Sequence, residues 1–340
     1  MNLKFSILLT TFICIVFSTF SQQKIQTYNV DSLLNSFRLN KHLDSIIVAA
    51  DSLYNVIALK EEDISKQAFT VGFLAKKMID LKELQSDKKD LNLSLVKKDT
   101  LIIVDFTKRA NKRRLAVVDL KRKKLVYNTV TSHGKGGKIM YEGKYLKHIN
   151  SKDKVPQYFG NTSHSKLSSL GFMITKGNSP PNNPCHKCKY SIDTPHVCQL
   201  LIKGLETGIN DSVDKGREIV IHTTGSQNFS DTISRRILEI SDTLYRVDTI
   251  ACYCHHQKDS SSIYASKKLL DRDHYMGRSN GCFVLPEEEH IGIIKTIIKG
   301  CLIFCYSDVV NETTNYFQNS PVIKQILNSK KAKFPNEILK

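Results

Sequence analysis

Between residues 31 and 60 the apolar side chains Leu33, Leu34, Phe37, Leu43, Ile46, Ile47 and Ala50 recur at the spacing that lines one face of a helix. Asp31 or Ser32 stands where its first turn needs a cap. A second helix is predicted over residues 65–81, with Phe69, Phe73, Leu74 and Met78 on one side. The charged stretch at 85–90 then separates these helices from a different rhythm. Short apolar runs at 101–106, 114–120 and 124–130 predict strands, the last two joined by a basic turn at Lys121, Arg122 and Lys123. Further strands are predicted at 171–175, 199–202, 218–222 and 301–306, and a helix at 287–299 with Ile291, Ile294, Ile297 and Ile298 inward. Many short strands and few helices predict a mainly β catalytic fold, a barrel or sandwich, behind an N-terminal helical segment, α+β overall.

The chain divides along these changes of pattern. An early charge at Lys4, an apolar run over 5–20 and small polar residues ending at Ser21 predict a signal peptide over 1–21, too short to be a comfortable membrane span. The protein is therefore expected to be exported, to the periplasm or cell envelope. Residues 22–98 form the helical segment, 99–308 the catalytic domain and 309–340 a C-terminal tail. Two stretches interrupt the strand rhythm and read as insertions: 178–198, rich in Pro, Asn and Cys, and 225–273, polar with a Cys-Tyr-Cys-His-His cluster.

Charge narrows the partners. Lys and Arg outnumber Asp and Glu by 50 to 33, a formal net charge of +17 at pH 7, which favours an acidic partner. No nucleic-acid motif or interleaved aromatic pattern is present, so nucleic acid is not expected. For an exported protein, wall carboxylates or peripheral association with an anionic surface fit better. A basic surface that serves only solubility carries equal weight.

The candidate chemistry lies in Gly277-Arg278-Ser279-Asn280-Gly281-Cys282. A thiol attacks as its thiolate, and a free cysteine with a pKa near ~8.5 is only about 3% ionised at pH 7, so something must activate it. Here two glycines allow a tight turn, Arg278 adds positive potential, and the backbone N–H groups near Gly281 and Cys282 can face a developing oxyanion. His222 ends the apolar strand Ile219-Val220-Ile221 and is placed to take the thiol proton. His133, in a Ser-His-Gly turn, is a substrate contact or a loop cap, with nothing to choose between them.

At these residues the chain resembles the murein L,D-transpeptidase catalytic domain family. The resemblance spans roughly 100–306. Its points are Thr131-Ser132-His133-Gly134, Ser168-Ser169-Leu170-Gly171-Phe172, Leu201-Ile202-Lys203-Gly204-Leu205-Glu206 with Asn210, Arg217 to His222 as R-E-I-V-I-H, and G-R-S-N-G-C before Val284-Leu285-Pro286. It implies a β-rich fold in which Cys282 and His222 work as a catalytic pair, with Ser279 and Gly281 shaping the site and Arg278, His133, Ser169 and Gly171 meeting substrate. The implied substrate is the peptidoglycan stem peptide. Cys282 would attack the carbonyl before D-Ala, and an amine would resolve the thioester as a cross-link, or water as L,D-carboxypeptidase action. No cofactor is required.

The sequence also departs from that family. His222 and Cys282 are sixty residues apart, because the 225–273 insertion intervenes. Asn280 stands where simpler members carry His, and His274 is a possible substitute. Of the nine cysteines, Cys14 falls in the leader, and Cys301 and Cys305 share one face of a strand as core thiols. Cys185, Cys188, Cys252 and Cys254, with Cys198, His186, His255 and His256, fall in the two insertions, where disulfides or a structural zinc would tie the loops together. A reading from another class is a non-catalytic wall-binding scaffold structured by that zinc or those disulfides.

Overall fold

The computed structural model describes residues 26–84, 97–141, 144–151, 154–178, 199–214, 216–223, 234–241, 244–250, 262–266, 278–311 and 314–329. Three helices come first, after a short strand β1 (Gln26–Thr27): α1 (Val30–Arg38), α2 (Lys41–Val56) and α3 (Lys66–Asp80). The single helix expected over 31–60 is broken at Leu39 and Asn40. Asn40 takes an extended backbone, and its side chain accepts the amide protons of His42 and Leu43 as the cap of α2, a role that suits Asn better than a helix interior does. Asn29, rather than Asp31 or Ser32, caps α1 by accepting from the Ser32 N–H.

Helix α3 starts where its sequence predicts, because Ser65 Oγ accepts the Ala68 amide proton at 3.2 Å. The Ser65 backbone N–H in turn donates to Asp105 at 2.7 Å, pinning the helix to the sheet. Ser65→Ala should therefore cost about 1 kcal/mol, seen as a lower urea midpoint with an unchanged slope.

Next come β2 (Thr100–Asp105), β3 (Leu115–Asp119), β4 (Lys124–Thr129), β5 (His133–Gly134), β6 (Gly136–Tyr141), β7 (Lys144–Ile149), β8 (Gly171–Asn178), β9 (Gln199–Gly204) and β10 (Val220–Thr223). β11 (Ser234–Ser241), β12 (Leu244–Ile250) and β13 (Ser262–Ser266) form a separate antiparallel sheet within the 225–273 insertion. β14 (Arg278–Ser279), β15 (Phe283–Leu285), α4 (Glu287–Ile297), β16 (Leu302–Tyr306), β17 (Val309–Asn311), β18 (Thr314–Asn315), α5 (Tyr316–Asn319) and α6 (Pro321–Asn328) complete the order.

Eight strands make one sheet in the order β15-β10-β9-β8-β16-β2-β3-β4. It curls until its ends meet: beyond β4, the Ser132 N–H donates to the Val284 carbonyl at 3.3 Å, and Thr131 Oγ1 donates to the same oxygen at 3.0 Å. The result is a nearly closed barrel of mainly β character with helices before and after it, as the strand-rich pattern predicts. α3 lies against β2 and β16, so closely that a Cβ on Gly72 would stand 3.1 Å from the Phe304 ring. The helices and barrel thus share one continuous hydrophobic core, from Val30 to Ile326.

The stretch after 308 is packed through Asn328 rather than trailing as a tail. β17 pairs antiparallel with β1, Tyr28 stacks on Phe317 with centroids 5.1 Å apart, and Tyr316, Ile323 and Ile326 are buried. Glu206 fastens this end from inside the barrel. Its carboxylate, fully buried, accepts from the Phe172 N–H at 2.6 Å, from the Tyr316 hydroxyl at 3.1 Å and from the Ser320 hydroxyl. Burial outweighs these donors and pushes the Glu206 carboxyl up to about 7.

Candidate active site

The sixty residues between His222 and Cys282 do not separate them in the fold. β15 pairs in parallel with β10, with Ile221 opposite Phe283 and His222 opposite Val284. Side chains alternate along a strand and partners share a face. Ile219, Ile221, Phe283 and Leu285 therefore point into the hydrophobic core, while His222 and Val284 point to the other side, as does Cys282 if the alternation is carried one step past β15. The insertion leaves between two strands that are neighbours, so its length does not change their register. Cys282 is 7% exposed and His222 is fully buried.

The turn before Cys282 is held by hydroxyls. Ser279 Oγ donates to the Cys282 carbonyl at 2.7 Å and accepts the Gly281 N–H at 3.1 Å. Ser132 Oγ, from the segment that closes the barrel, donates to the same Cys282 carbonyl at 3.0 Å and accepts the Val284 N–H at 3.1 Å. Ser168 Oγ reaches the Gly281 carbonyl at 3.3 Å. The Gly281 N–H, expected to face an oxyanion, is already spent inside the turn. Gly281 has φ +114°, and a Cβ there would lie 2.6 Å from the Leu167 carbonyl oxygen and 2.7 Å from Ile219 Cδ1. Gly281→Ala should therefore displace Cys282 and cut its acylation rate by about 10²-fold, the penalty for misplacing a reacting group by about 1 Å. A stopped assay with unchanged circular dichroism checks it.

Electrostatically, the thiol departs from the sequence expectation. Burial pushes the Cys282 thiol up to about 11, against the opposing pull of the Val220 backbone and of the nearby Arg217 guanidinium, with Glu218 adding to the rise. At pH 7 the resting thiolate is then on the order of 10⁻⁴ of the population. The sulfur is a buried thiol, 4.0 Å from the Glu218 carbonyl.

The other expected residues take different places. His133 is fully buried. Arg114 Nη2 lies 2.9 Å from its Nδ1 and the Ser151 carbonyl 2.8 Å from its Nε2. Arginine can only donate, so Nδ1 accepts and the Nε2–H donates to Ser151. Burial, reinforced by Arg114, pulls this imidazole down to about 3. A neutral ring with both nitrogens engaged by the protein is a brace for the Ser132–Gly134 turn, which fits the loop-cap reading of His133 better than the substrate contact.

Ser169 is likewise buried, donating to the Gly160 carbonyl at 3.0 Å. Gly171, with φ +87°, sits where a Cβ would come within 2.2 Å of Glu206 Oε1, so glycine is there to admit the Glu206 anchor. Both positions are packed inside the protein rather than open to a substrate. Arg278 is half-buried, pairs across β14 with His133 of β5 and donates to the Asn150 carbonyl at 2.8 Å. Cys301 and Cys305 are free and buried, as core thiols should be. Cys185, Cys188, Cys252, Cys254 and His274 lie outside the described residues, and among the described residues no group of three His, Cys, Asp or Glu side chains is arranged to hold a metal ion.

Three contributors were not singled out in the sequence. Ser132 and Ser168 were visible only as neighbours of His133 and Ser169. Arg217, which opens the R-E-I-V-I-H run, donates through Nη1 to the Gly160 carbonyl and to Ser169 Oγ at 2.5 Å, and through Nη2 to the Leu167 carbonyl.

A family model for the L,D-transpeptidase catalytic domain matches residues 66–237. The match begins with α3, covers half of the chain, includes His133, Ser169, Gly171, Arg217 and His222, and stops inside β11, ahead of the Cys282 turn. Comparison with curated proteins and with solved structures gave no match. The match to half of the chain shows that the protein belongs to the L,D-transpeptidase catalytic-domain family.

Proposed function

We propose that the protein is an exported cysteine L,D-transpeptidase acting on the tetrapeptide stem of peptidoglycan. The observation that carries the reading is the parallel pairing of β10 with β15, which puts His222 beside the strand entered through Cys282. In this reading Cys282 Sγ attacks the carbonyl carbon of the stem residue before D-Ala as its proton passes to the His222 imidazole. The C–N bond breaks, the imidazolium returns the proton to the departing D-Ala amine, and a thioester remains. An amine from a neighbouring stem attacks the thioester carbonyl and gives its proton to His222, the C–S bond breaks, and the imidazolium returns the proton to the sulfur. General-base help of this kind is worth about 10²- to 10⁴-fold, a contribution suited to a thiol that is protonated at rest.

The reading is tested by incubating the purified protein with disaccharide tetrapeptide and following D-Ala release and dimer formation together. Cross-linked dimer appearing with stoichiometric D-Ala supports it. Release of D-Ala with no dimer at any acceptor concentration would replace transpeptidation by carboxypeptidase action, and neither product would overturn both.

A further inference from the structure

Arg217 is part-buried against the turn that presents the nucleophile: its Nη2 stands 3.2 Å from the position a Cβ on Gly281 would take. Three contacts fix the guanidinium, to the Gly160 and Leu167 carbonyls and the Ser169 hydroxyl. All three acceptors are neutral. Among the described ion pairs no carboxylate partners Arg217, although a part-buried cation is ordinarily matched by one. Both Nη1 protons and one Nη2 proton are committed, which leaves the second Nη2 proton and the Nε–H.

We propose that Arg217 is a positioning residue that holds its charge ready for the Cys282 thiolate: neutral acceptors among the described residues lock the guanidinium beside Gly281, where it meets an anion when the sulfur loses its proton. A carboxylate partner would have neutralised that charge in advance. Of the other charged or titratable groups at the sulfur, Glu218 opposes the anion, and His222 on the neighbouring strand supports it once it has taken the proton. As the sulfur's electron pair forms the bond to the substrate carbonyl carbon, the negative charge passes to the carbonyl oxygen and Arg217 is released from it. The inference rests on Cys282 being the nucleophile, but it concerns the thiol itself and not turnover.

The test is the rate at which iodoacetamide alkylates Cys282 as a function of pH, read by mass spectrometry on the tryptic peptide that begins at Ser279, so that other cysteines do not contribute. Arg217→Gln, which keeps a hydrogen-bond donor and removes the charge, should raise the inflection by about one unit and slow alkylation about tenfold below it. Arg217→Lys should recover part of that loss. An Arg217→Gln inflection equal to wild type, in protein with native circular dichroism, would overturn the proposal. Should Arg217→Gln not fold, the wild-type protein decides: negatively charged iodoacetate should gain on neutral iodoacetamide at Cys282 relative to the urea-unfolded chain, and an unchanged ratio of the two rates counts against a guanidinium at the sulfur. Loss of cross-linking activity would leave both measurements intact, so the two readings fail separately.

Discussion

Cys282→Ala is expected to abolish thioester formation and D-Ala release, lowering the rate by at least about 10⁴-fold, the scale on which removal of a covalent nucleophile acts. The fold should survive, because the substitution removes one sulfur from a side chain outside the hydrophobic core cluster. A loss of about 1 kcal/mol in stability is the ordinary scale for such a change. The discriminating measurement is turnover of disaccharide tetrapeptide together with thermal unfolding of the same sample. Activity within tenfold of wild type would remove Cys282 from the reaction, and a collapse of the unfolding transition would make it a structural residue.

A pH-dependent stability centred on Glu206 is the second large effect. Its folded carboxyl sits at about 7, with burial as the main cause, above the ordinary carboxylate value of about 4.3. The folded state therefore holds the proton more tightly than the unfolded chain does. The associated stability is fully present below about pH 4.3 and is lost as pH rises through 7. The difference corresponds to about 4 kcal/mol over that interval. Urea midpoints of the wild type should accordingly fall between pH 5 and 8 relative to Glu206→Gln, which cannot ionise. Parallel profiles for the two proteins would show that Glu206 does not titrate there. Glu206→Ala should cost about 3–5 kcal/mol below pH 5, because it empties the acceptor shared by Phe172, Tyr316 and Ser320, and that cost should shrink as the wild type loses stability through pH 7.

The barrel was legible wherever a strand is buried on both faces. The runs in β2, β3 and β16 are apolar almost without interruption, and each strand begins and ends within a residue or two of its expected place. α3 was legible for a local reason, a Ser cap ahead of an apolar face. The break between α1 and α2 was hidden because the helical spacing of apolar residues continues across it, and Leu39, 89% exposed, looks like one more member of that face. The packed C-terminus had a signal that its polar surroundings masked: Val322, Ile323 and Ile326 at helical spacing, directly after a Ser-Pro start.

The candidate site was legible as residues and not as an arrangement. Cys282 and His222 could be named from their motifs, but their proximity depends on a parallel register that no local pattern encodes. The brace formed by His133 was hidden too, since it requires Arg114, whose guanidinium burial draws down to about 9, to reach across from the start of β3. The raised thiol is likewise a product of burial, which a linear sequence does not display. Arg217 stood in plain view, yet its meaning comes from what surrounds it: three neutral acceptors and an adjacent glycine.

The central claim is that one sulfur carries the acyl group, and the most direct test is to trap that bond. Wild-type protein mixed with disaccharide tetrapeptide, quenched in acid and digested with trypsin, should yield the Cys282 peptide heavier by the mass of the muropeptide less D-Ala, and the adduct should vanish with hydroxylamine. The same mass increase found on a different residue, or D-Ala released while the Cys282 peptide stays unmodified at every quench time, would contradict the account.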